Sequence, residues 1–477
     1  MKKILAFAVI LALLVPAAAF AAAEFTLGGF VKLDTFWDST QQTKNMNIVL
    51  QRDNHTTFNH GRLKWTAQGS RFNLTIKGPK VFGAQTNGFI EMDFDDEGDA
   101  LQTASNAYVP RLRHAMFRFN WPTTELLLGQ YWSMFCEWYP EMVEDGPMQV
   151  TGAPTARMAQ VRVTQKFAGA WTVAGLIGQP NNTVGGQAFF TSANSGENAE
   201  APQIQAKLEF AQDLWGKAAF YGRPTPFTAK VTAGWQRNVF ASSTNFAGLR
   251  TWAENAYSPN LATVQLNQQY LNPWMIMGTI FAPIIPTQSA NLAGTASITT
   301  QWWIGQGVDA FGVSGFSNSP LYRASSLRFI GNQLVYNYTR ELQKRYGGYV
   351  QAQYYFNNQW FMNLAYGMSK AFGASQSDRA GAAFNAVNNP NAYAYAVTAD
   401  IAKFYQQFAA TLWYRPVTAI KFGLQYSWGQ TTWFQTTSGG ATYGAAPFSN
   451  AVAGVPVFDV SNTGNASRVE FVGFFYF

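Results

Sequence analysis

Hydrophobic and polar positions alternate along most of this chain with a period of two, the spacing at which successive side chains of a β-strand face opposite ways. The carboxy-terminal stretch SRVEFVGFFYF shows it most plainly. Val469, Phe471, Gly473, Phe475 and Phe477 fall on one face, Arg468 and Glu470 on the other. TAIKFGLQYSW repeats the pattern, with Ile420, Phe422, Leu424, Tyr426 and Trp428 opposed to Lys421, Gln425 and Ser427. In FVKLD, Val31 and Leu33 oppose Lys32 and Asp34; in GFIEMDFDD, Ile90, Met92 and Phe94 oppose Glu91, Asp93 and Asp95. Between Arg62 and Lys77 the phase slips. Leu63, Trp65 and Ala67 share a face before Gly69 and Ser70, and Phe72, Leu74 and Ile76 take it up afterwards, which predicts a β-bulge at Gly69. Arg62, Lys64, Arg71 and Lys77 lie opposite.

A strand with charge on one face and rings on the other suits a wall between water and lipid better than the two-sided core of a soluble sandwich. In lipid such strands must close on themselves, because an open edge leaves backbone groups without partners. The pattern therefore predicts an all-β fold: a transmembrane antiparallel β-barrel of about sixteen strands, within 14 to 18, with short turns on one side and long extracellular loops on the other. Predicted turns fall at Gly78-Pro79, Trp121-Pro122-Thr123, Asn357-Asn358-Gln359 and Arg415-Pro416-Val417. Between Ala241 and Tyr346 the alternation is weaker. Strand-like pieces run from Trp274 to Pro283 and from Thr295 to Ile304. SSLRFIGNQLVYNYTRELQKR fits a helix through the spacing of Leu327, Ile330, Leu334 and Tyr338, and fits a strand equally well.

The amino-terminal stretch carries a different signal. Lys2 and Lys3, an apolar run from Ile4 to Val15, Pro16 and then Ala19-Phe20-Ala21 form a secretory signal peptide over residues 1–21, with cleavage after Ala23 as the other option. No later stretch of 18 apolar residues follows, so spanning helices are not expected. Residues 24–477 form a single barrel domain in this reading. Composition agrees: aromatic residues make up 16% of the chain, with 16 Trp, 39 Phe and 21 Tyr, while charged residues make up only 12%, against about 25% in soluble domains. Without Lys2 and Lys3 the chain has 31 basic residues against 26 acidic ones, about +5. That excess is mild and forms no basic run, so nucleic acid is not an expected partner.

The longest informative loop is MFCEWYPEMVEDGPMQVTGAPTARMA, residues 134–159. It places Glu137, Glu141, Glu144 and Asp145 among Trp138, Tyr139 and Pro140, and flanking strands offer Arg118 and Arg162 on their inward phase. The candidate pore lining is thus a basic set, Arg62, Lys64, Arg71, Arg118 and Arg162, together with acidic Glu91, Asp93, Glu137, Glu141, Glu144 and Asp145. Opposed charges across a narrow aqueous passage focus the field and set ion selectivity. Trp138 and Tyr139 fit an anchor for the loop or a stacking surface for sugars. His55, His60 and His114 read as loop or strand residues with no metal role, and no cofactor is expected; Cys136, the one cysteine, has no disulfide partner. An enzyme is not expected, since no nucleophile is patterned with His114. Absence of C-x-x-C-H leaves a barrel sheath or scaffold of an electron-transfer or secretion complex dependent on a separate carrier protein.

The closing stretch 467–477 resembles the terminal signal of bacterial outer-membrane barrels, which the barrel-assembly machinery reads; Phe471, Phe475 and Phe477 occupy its positions. FVKLD, GSRFNLTIKG, LLLGQYWSMF and AQVRV further resemble DcaP-like trimeric outer-membrane porins, and in part OmpJ-type major outer-membrane channels, over roughly residues 24–170 and the last strand. The resemblance implies a homotrimer among outer-membrane lipid and lipopolysaccharide. It also implies a loop at about 134–159 that narrows the pore, and passive passage of small hydrophilic solutes with mild preference for anions. The periplasmic coiled-coil arm of some members has no counterpart ahead of the first strand.

Overall fold

The structure is a computed structural model that describes residues 23–40, 60–95, 109–144, 146–180, 201–240, 263–266, 269–313, 321–330, 333–372, 402–433 and 463–477. The signal peptide 1–21, His55 and Asp145 lie outside the described residues.

Among these residues sixteen strands close into one antiparallel barrel. In chain order they are β1 (Glu24–Asp38), β2 (Arg62–Thr66 and Arg71–Val81), β3 (Ala84–Asp93), β4 (Arg111–Asn120), β5 (Thr124–Trp132), β6 (Arg157–Phe167), β7 (Trp171–Gly178) and β8 (Gln203–Gln212). The second half comprises β9 (Phe227–Trp235), β10 (Trp274–Ile285), β11 (Ala296–Gln306), β12 (Lys344–Tyr355), β13 (Trp360–Phe372), β14 (Ala402–Val417), β15 (Ile420–Trp433) and β16 (Thr463–Tyr476). Each pairs with its neighbours in sequence, and β16 returns to β1 through the register Phe30↔Tyr476 to Asp38↔Arg468. With about ten residues per spanning strand, an unclosed seam would leave two rows of backbone groups in hydrocarbon at several kcal/mol each, of order tens of kcal/mol in all.

The two parts of β2 both pair with β1, and residues 67–70 between them carry the phase change expected at Gly69. The turn expected at Gly78-Pro79 is a bulge instead. β2 continues to Val81 with a register shift between Lys77 and Lys80, and the chain reverses at Phe82-Gly83. Proline has no N–H to give a ladder and is tolerated where the ladder is already interrupted. Phe82 and Gly83 have φ of +50° and +76°, the conformation of a two-residue turn that matches strand twist. In the irregular middle, β10 and β11 supply the strand pair that completes sixteen. Leu321–Ile330 and Gln333–Glu341 form a hairpin rather than a helix, and Thr263–Leu266 joins it in a small sheet of its own.

The expected faces are realised. Phe471, Phe475, Leu424, Tyr426, Ile276, Ile280 and Trp302 are exposed on the outside, where lipid replaces water, whereas Arg468 and Glu470 are 0% and 1% exposed on the inside. At the seam Asp38 stands opposite Arg62 across β1 and β2 and opposite Arg468 across β1 and β16. Its carboxylate accepts Nε of Arg62 at 2.7 Å and Nε of Arg468 at 2.6 Å. Arg468 also lies 4.5 Å over the ring of Phe36. One carboxylate held by two guanidiniums therefore clamps three consecutive strands where the ends of the chain meet.

Candidate functional site

The connection from β5 to β6, residues 133–156, turns back along the inward-facing side chains of the barrel. It opens with a 3-10 turn, Met134–Cys136, capped by Ser133 Oγ, which accepts the Phe135 N–H. A segment leaving regular structure must find partners for its backbone, and the wall supplies glutamines for this purpose. The N–H of Glu141 donates to Gln351 Oε1 on β12 at 2.6 Å, and that of Val143 to Gln425 Oε1 on β15 at 2.8 Å. The carbonyl of Gly152 accepts Trp303 Nε1 from β11 at 2.7 Å. From the long-loop side Gly307–Val313 packs on it, bringing Phe311 and Val313 against Phe135 and Cys136.

Acidic side chains tie the same segment down. Glu137 reaches Lys207 of β8 at 2.8 Å, Lys230 of β9 at 3.2 Å and Arg162 of β6 at 3.6 Å. Burial alone would raise this carboxyl, but Lys230, Lys207 and Arg162 outweigh it and hold the group at about 2, even though 20% of its side-chain surface stays open. Glu141 accepts Lys421 Nζ at 2.6 Å and Gln353 Nε2 at 2.8 Å, and Glu144 accepts Gln407 Nε2 at 2.6 Å. Trp138 stacks on Phe220 with ring centroids 4.4 Å apart and lies under Lys230 Nζ at 4.7 Å; Tyr139 meets Trp132 edge-on. Both rings are thus anchors. Cys136 is buried, its thiol pushed up to about 12 by that burial, and its Sγ accepts the Ala156 N–H.

The opposite wall, β2 to β6, carries guanidiniums on aromatic faces. Arg113 and Arg157 lie 5.6 and 5.1 Å over Trp132, Arg118 and Arg162 lie 5.5 and 5.4 Å over Tyr131, and Arg71 lies 5.2 Å over Phe30. Planar guanidinium favours such stacking, which leaves N–H edges free to meet anions. Glu91 accepts Arg113 Nε at 2.8 Å and stands 3.7 Å from both Arg71 and His114. Asp93 binds Arg111 at 2.8 Å and Arg113 at 2.6 Å. Glu125 is 3.1 Å from Arg118 and 3.8 Å from Arg162. Among the described residues Arg157 has no carboxylate within ion-pair distance.

The sequence-predicted set is therefore only partly brought together. Arg71, Arg118, Arg162, Glu91 and Asp93 share the β2–β6 wall. Arg62 is drawn away to Asp38 at the seam, and Lys64 is half-buried on the inward face of β2. Of the segment's described acids Glu137 meets Arg162 of the basic set, while Glu141 accepts from β12 and β15 and Glu144 from β14. Arg111, Arg113 and Arg157 were missing from it. A bulge that sets Glu91 opposite His114 and Met92 opposite Leu112 turns Arg113 and His114 inward together, and RLRH was the only trace of it. His60 is exposed near the long-loop rim. No group of three or more His, Cys, Asp or Glu among the described residues is arranged to hold a metal.

No family model matches the chain. No curated protein matches it either. Solved structures do match in fold. The outer-membrane channel DcaP of Acinetobacter baumannii superposes with a TM-score of 0.60 at 18% identity, covering 96% of this chain and 98% of that one. OprB of Pseudomonas putida gives 0.51 at 8% identity, with 96% and 94% covered. An anion-selective porin from Comamonas acidovorans gives 0.50 at 10%, with 96% and 100% covered. Identities this low speak for architecture alone, and the architecture of this chain, a closed sixteen-stranded barrel with an apolar outside and a charged inside, is that of an outer-membrane porin.

Proposed function

We propose that the protein is a passive diffusion channel for small hydrophilic solutes in the outer membrane, with a mild preference for anions. The observation that carries the reading is the asymmetry of the inner face. Segment 133–156 is bonded mainly to inward-facing side chains of β8 to β15, with Glu137 also reaching Arg162 of β6, while the half-buried Arg71, Arg111, Arg118 and Arg157 and the buried Arg113 stand on the other side and outnumber Glu91, Asp93, Asp95 and Glu125. In this reading the segment narrows the lumen and solutes pass between it and the guanidiniums. A few charges at a narrow point act more strongly than many on a wide wall, because the interaction falls with distance and with the dielectric. The sign is that of the anion-selective porin from Comamonas acidovorans.

Purified protein in planar bilayers is expected to give ohmic channels with no energy source, and a reversal potential of anionic sign under a salt gradient. Silent bilayers would overturn the reading. Because the lysines and Arg162 hold Glu137 at about 2 against an ordinary value of 4.5, the sign of the pH effect is fixed. The contribution of its ion pairs is complete above about 4.5 and is lost only as pH falls toward about 2, so selectivity should not move between about pH 8 and about pH 5 through this residue. We infer a homotrimer that resists SDS and dissociates on heating, checked by mass in native detergent.

The carboxy-terminal rings support an assembly role. Phe475 and Phe477 both face outward, the Phe477 N–H donates to Gly29 O at 3.2 Å, and its ring lies 5.8 Å from that of Phe72. Replacing both by Ser is expected to reduce folded barrel severalfold while precursor processing continues, read as the ratio of heat-modifiable to total protein. Normal folded levels would remove the assembly signal from this strand.

A further inference from the structure

The connection from β8 to β9 leaves the short-turn end, the periplasmic side by the usual rule for such barrels, yet it does not stay there. Residues Ala218–Phe220 and Arg223–Thr225 pair as a hairpin, and Ala218 and Ala219 are fully packed. The base of the hairpin is joined to the neighbouring turn by two backbone hydrogen bonds between Lys217 and Thr287, at 2.9 and 2.7 Å. Ser297 Oγ of β11 donates to Ala219 O at 3.1 Å. Ala219 belongs to one apolar cluster with Val143 of segment 133–156, Leu292, Tyr355, Phe361 and Trp413. The hairpin therefore reaches the interior from the side opposite to that from which segment 133–156 enters.

Its tip is unusual in a way that points to a task. Tyr221 and Gly222 have φ of +49° and +73°, the two-residue turn that commonly carries Asn-Gly or Asp-Gly. An aromatic residue in that region is uncommon and persists where its surroundings over-determine it. Gly222 leaves room for the guanidinium of Arg415, whose Nη1 would stand 2.9 Å from any added Cβ. Tyr221 in turn donates its hydroxyl hydrogen to Pro140 O at 3.0 Å, with Tyr139 O at 3.3 Å. Beside it Phe220 stacks on Trp138, and Phe281 closes the group edge-on to both. Residues 138–140 lie between the wall anchors of Glu137 and Glu141, where no described wall side chain holds the backbone.

We propose that the hairpin Ala218–Thr225 is the positioning element of the constriction, with Tyr221 and Phe220 fixing residues 138–140 from the periplasmic side. The proposal rests on the channel reading given above. Carbonyls that accept from the Tyr221 phenol cannot turn freely, and an indole stacked on Phe220 cannot swing across the passage. The hairpin thus sets the width of the passage and keeps its charged groups at fixed spacing.

The test uses the full-length protein in planar bilayers, with wild type, Tyr221→Phe and the double variant Phe220→Ala with Tyr221→Ala, each first shown to keep wild-type heat-modifiable mobility. Tyr221→Phe removes one hydrogen bond and keeps the ring, and it is expected to raise open-channel current noise severalfold at unchanged mean conductance. The double variant is expected to raise noise further, increase conductance severalfold and move the reversal potential toward zero. A merely structural role would lower the temperature of heat dissociation and leave noise and reversal potential alone. Conducting wild type with folded variants of the same noise, conductance and reversal potential overturns the proposal while the channel reading stands. Silent wild-type bilayers remove the channel reading and the proposal together.

Discussion

Arg468→Ala should cost the barrel about 3 kcal/mol of stability, the lower end of what removal of one partner from a buried ion pair costs. Asp38 is almost without solvent contact and keeps only Arg62 when Arg468 is lost. Its Oδ1 then sits in the seam with no guanidinium, and the ring of Phe36 loses the nearer of its two cations, keeping Arg62 at 5.3 Å. The comparison that decides the matter is Lys77→Gln. Lys77 and Glu24 are also paired across β1 and β2, at 2.9 Å, but they are 54% and 66% exposed, and exposed pairs contribute at most about 1 kcal/mol. Two pairs of similar length, both with their acid on β1, should differ severalfold in effect through burial. Urea unfolding in detergent, followed by the loss of the fast-migrating unheated band, measures both. Asp38→Asn combined with Arg468→Met should recover only part of the loss, since it removes both members of the buried Asp38–Arg468 pair but also takes the Asp38 carboxylate from Arg62. Equal small losses for Arg468→Ala and Lys77→Gln would show that the seam does not depend on the clamp.

The second large effect concerns selectivity, and the two halves of the charged interior should respond in different ways. Changing Arg71 and Arg162 together to Gln removes two cations from the β2–β6 wall and should move the reversal potential toward cations. Glu137→Gln should move it toward anions, because Lys230 loses the carboxylate it binds and Lys207 and Arg162 keep only Glu209 and Glu125. Glu141→Gln should instead loosen the segment, since Glu141 bonds Lys421 and Gln353 in a site with little solvent. Its readout is noise rather than sign. Exposed charges beyond about 10 Å are screened at 0.1 M salt. Shifts that persist as salt rises therefore mark groups at a constriction, and shifts that fade mark groups on an open wall. A reversal potential unmoved by Arg71, Arg162 and Glu137 alike would place the narrowing elsewhere in the lumen.

Much of this architecture could be read from alternation alone, because a wall with lipid on one side and water on the other leaves its period in every strand. β15 and β16 were legible for that reason, and so was the bulge near Gly69, where the phase slips in the residues themselves. Legibility failed where one residue more or fewer sits on one strand than on its partner. The bulge opposite Glu91 brought Arg113 and His114 inward against the alternating count, and Gly78-Pro79 resembled a turn because Pro marks bulges and turns alike. The acids of segment 133–156 were found, but their partners were not. Glu137 meets Lys207 and Lys230 across 70 and 93 residues, and Glu141 meets Lys421 across 280, separations that only the closed barrel defines. The hairpin at Tyr221-Gly222 left still less trace, since YGRPTPF reads as an ordinary Pro-rich turn between strands.

That hairpin and segment 133–156 leave the wall at opposite ends of the barrel and meet between them, where Tyr221 donates to Pro140 O. In the channel reading proposed above, the passage is then held from both ends at once: a cut beside Tyr221 or beside Pro140 should loosen the same contact, so that two connections entering from opposite ends answer as one unit.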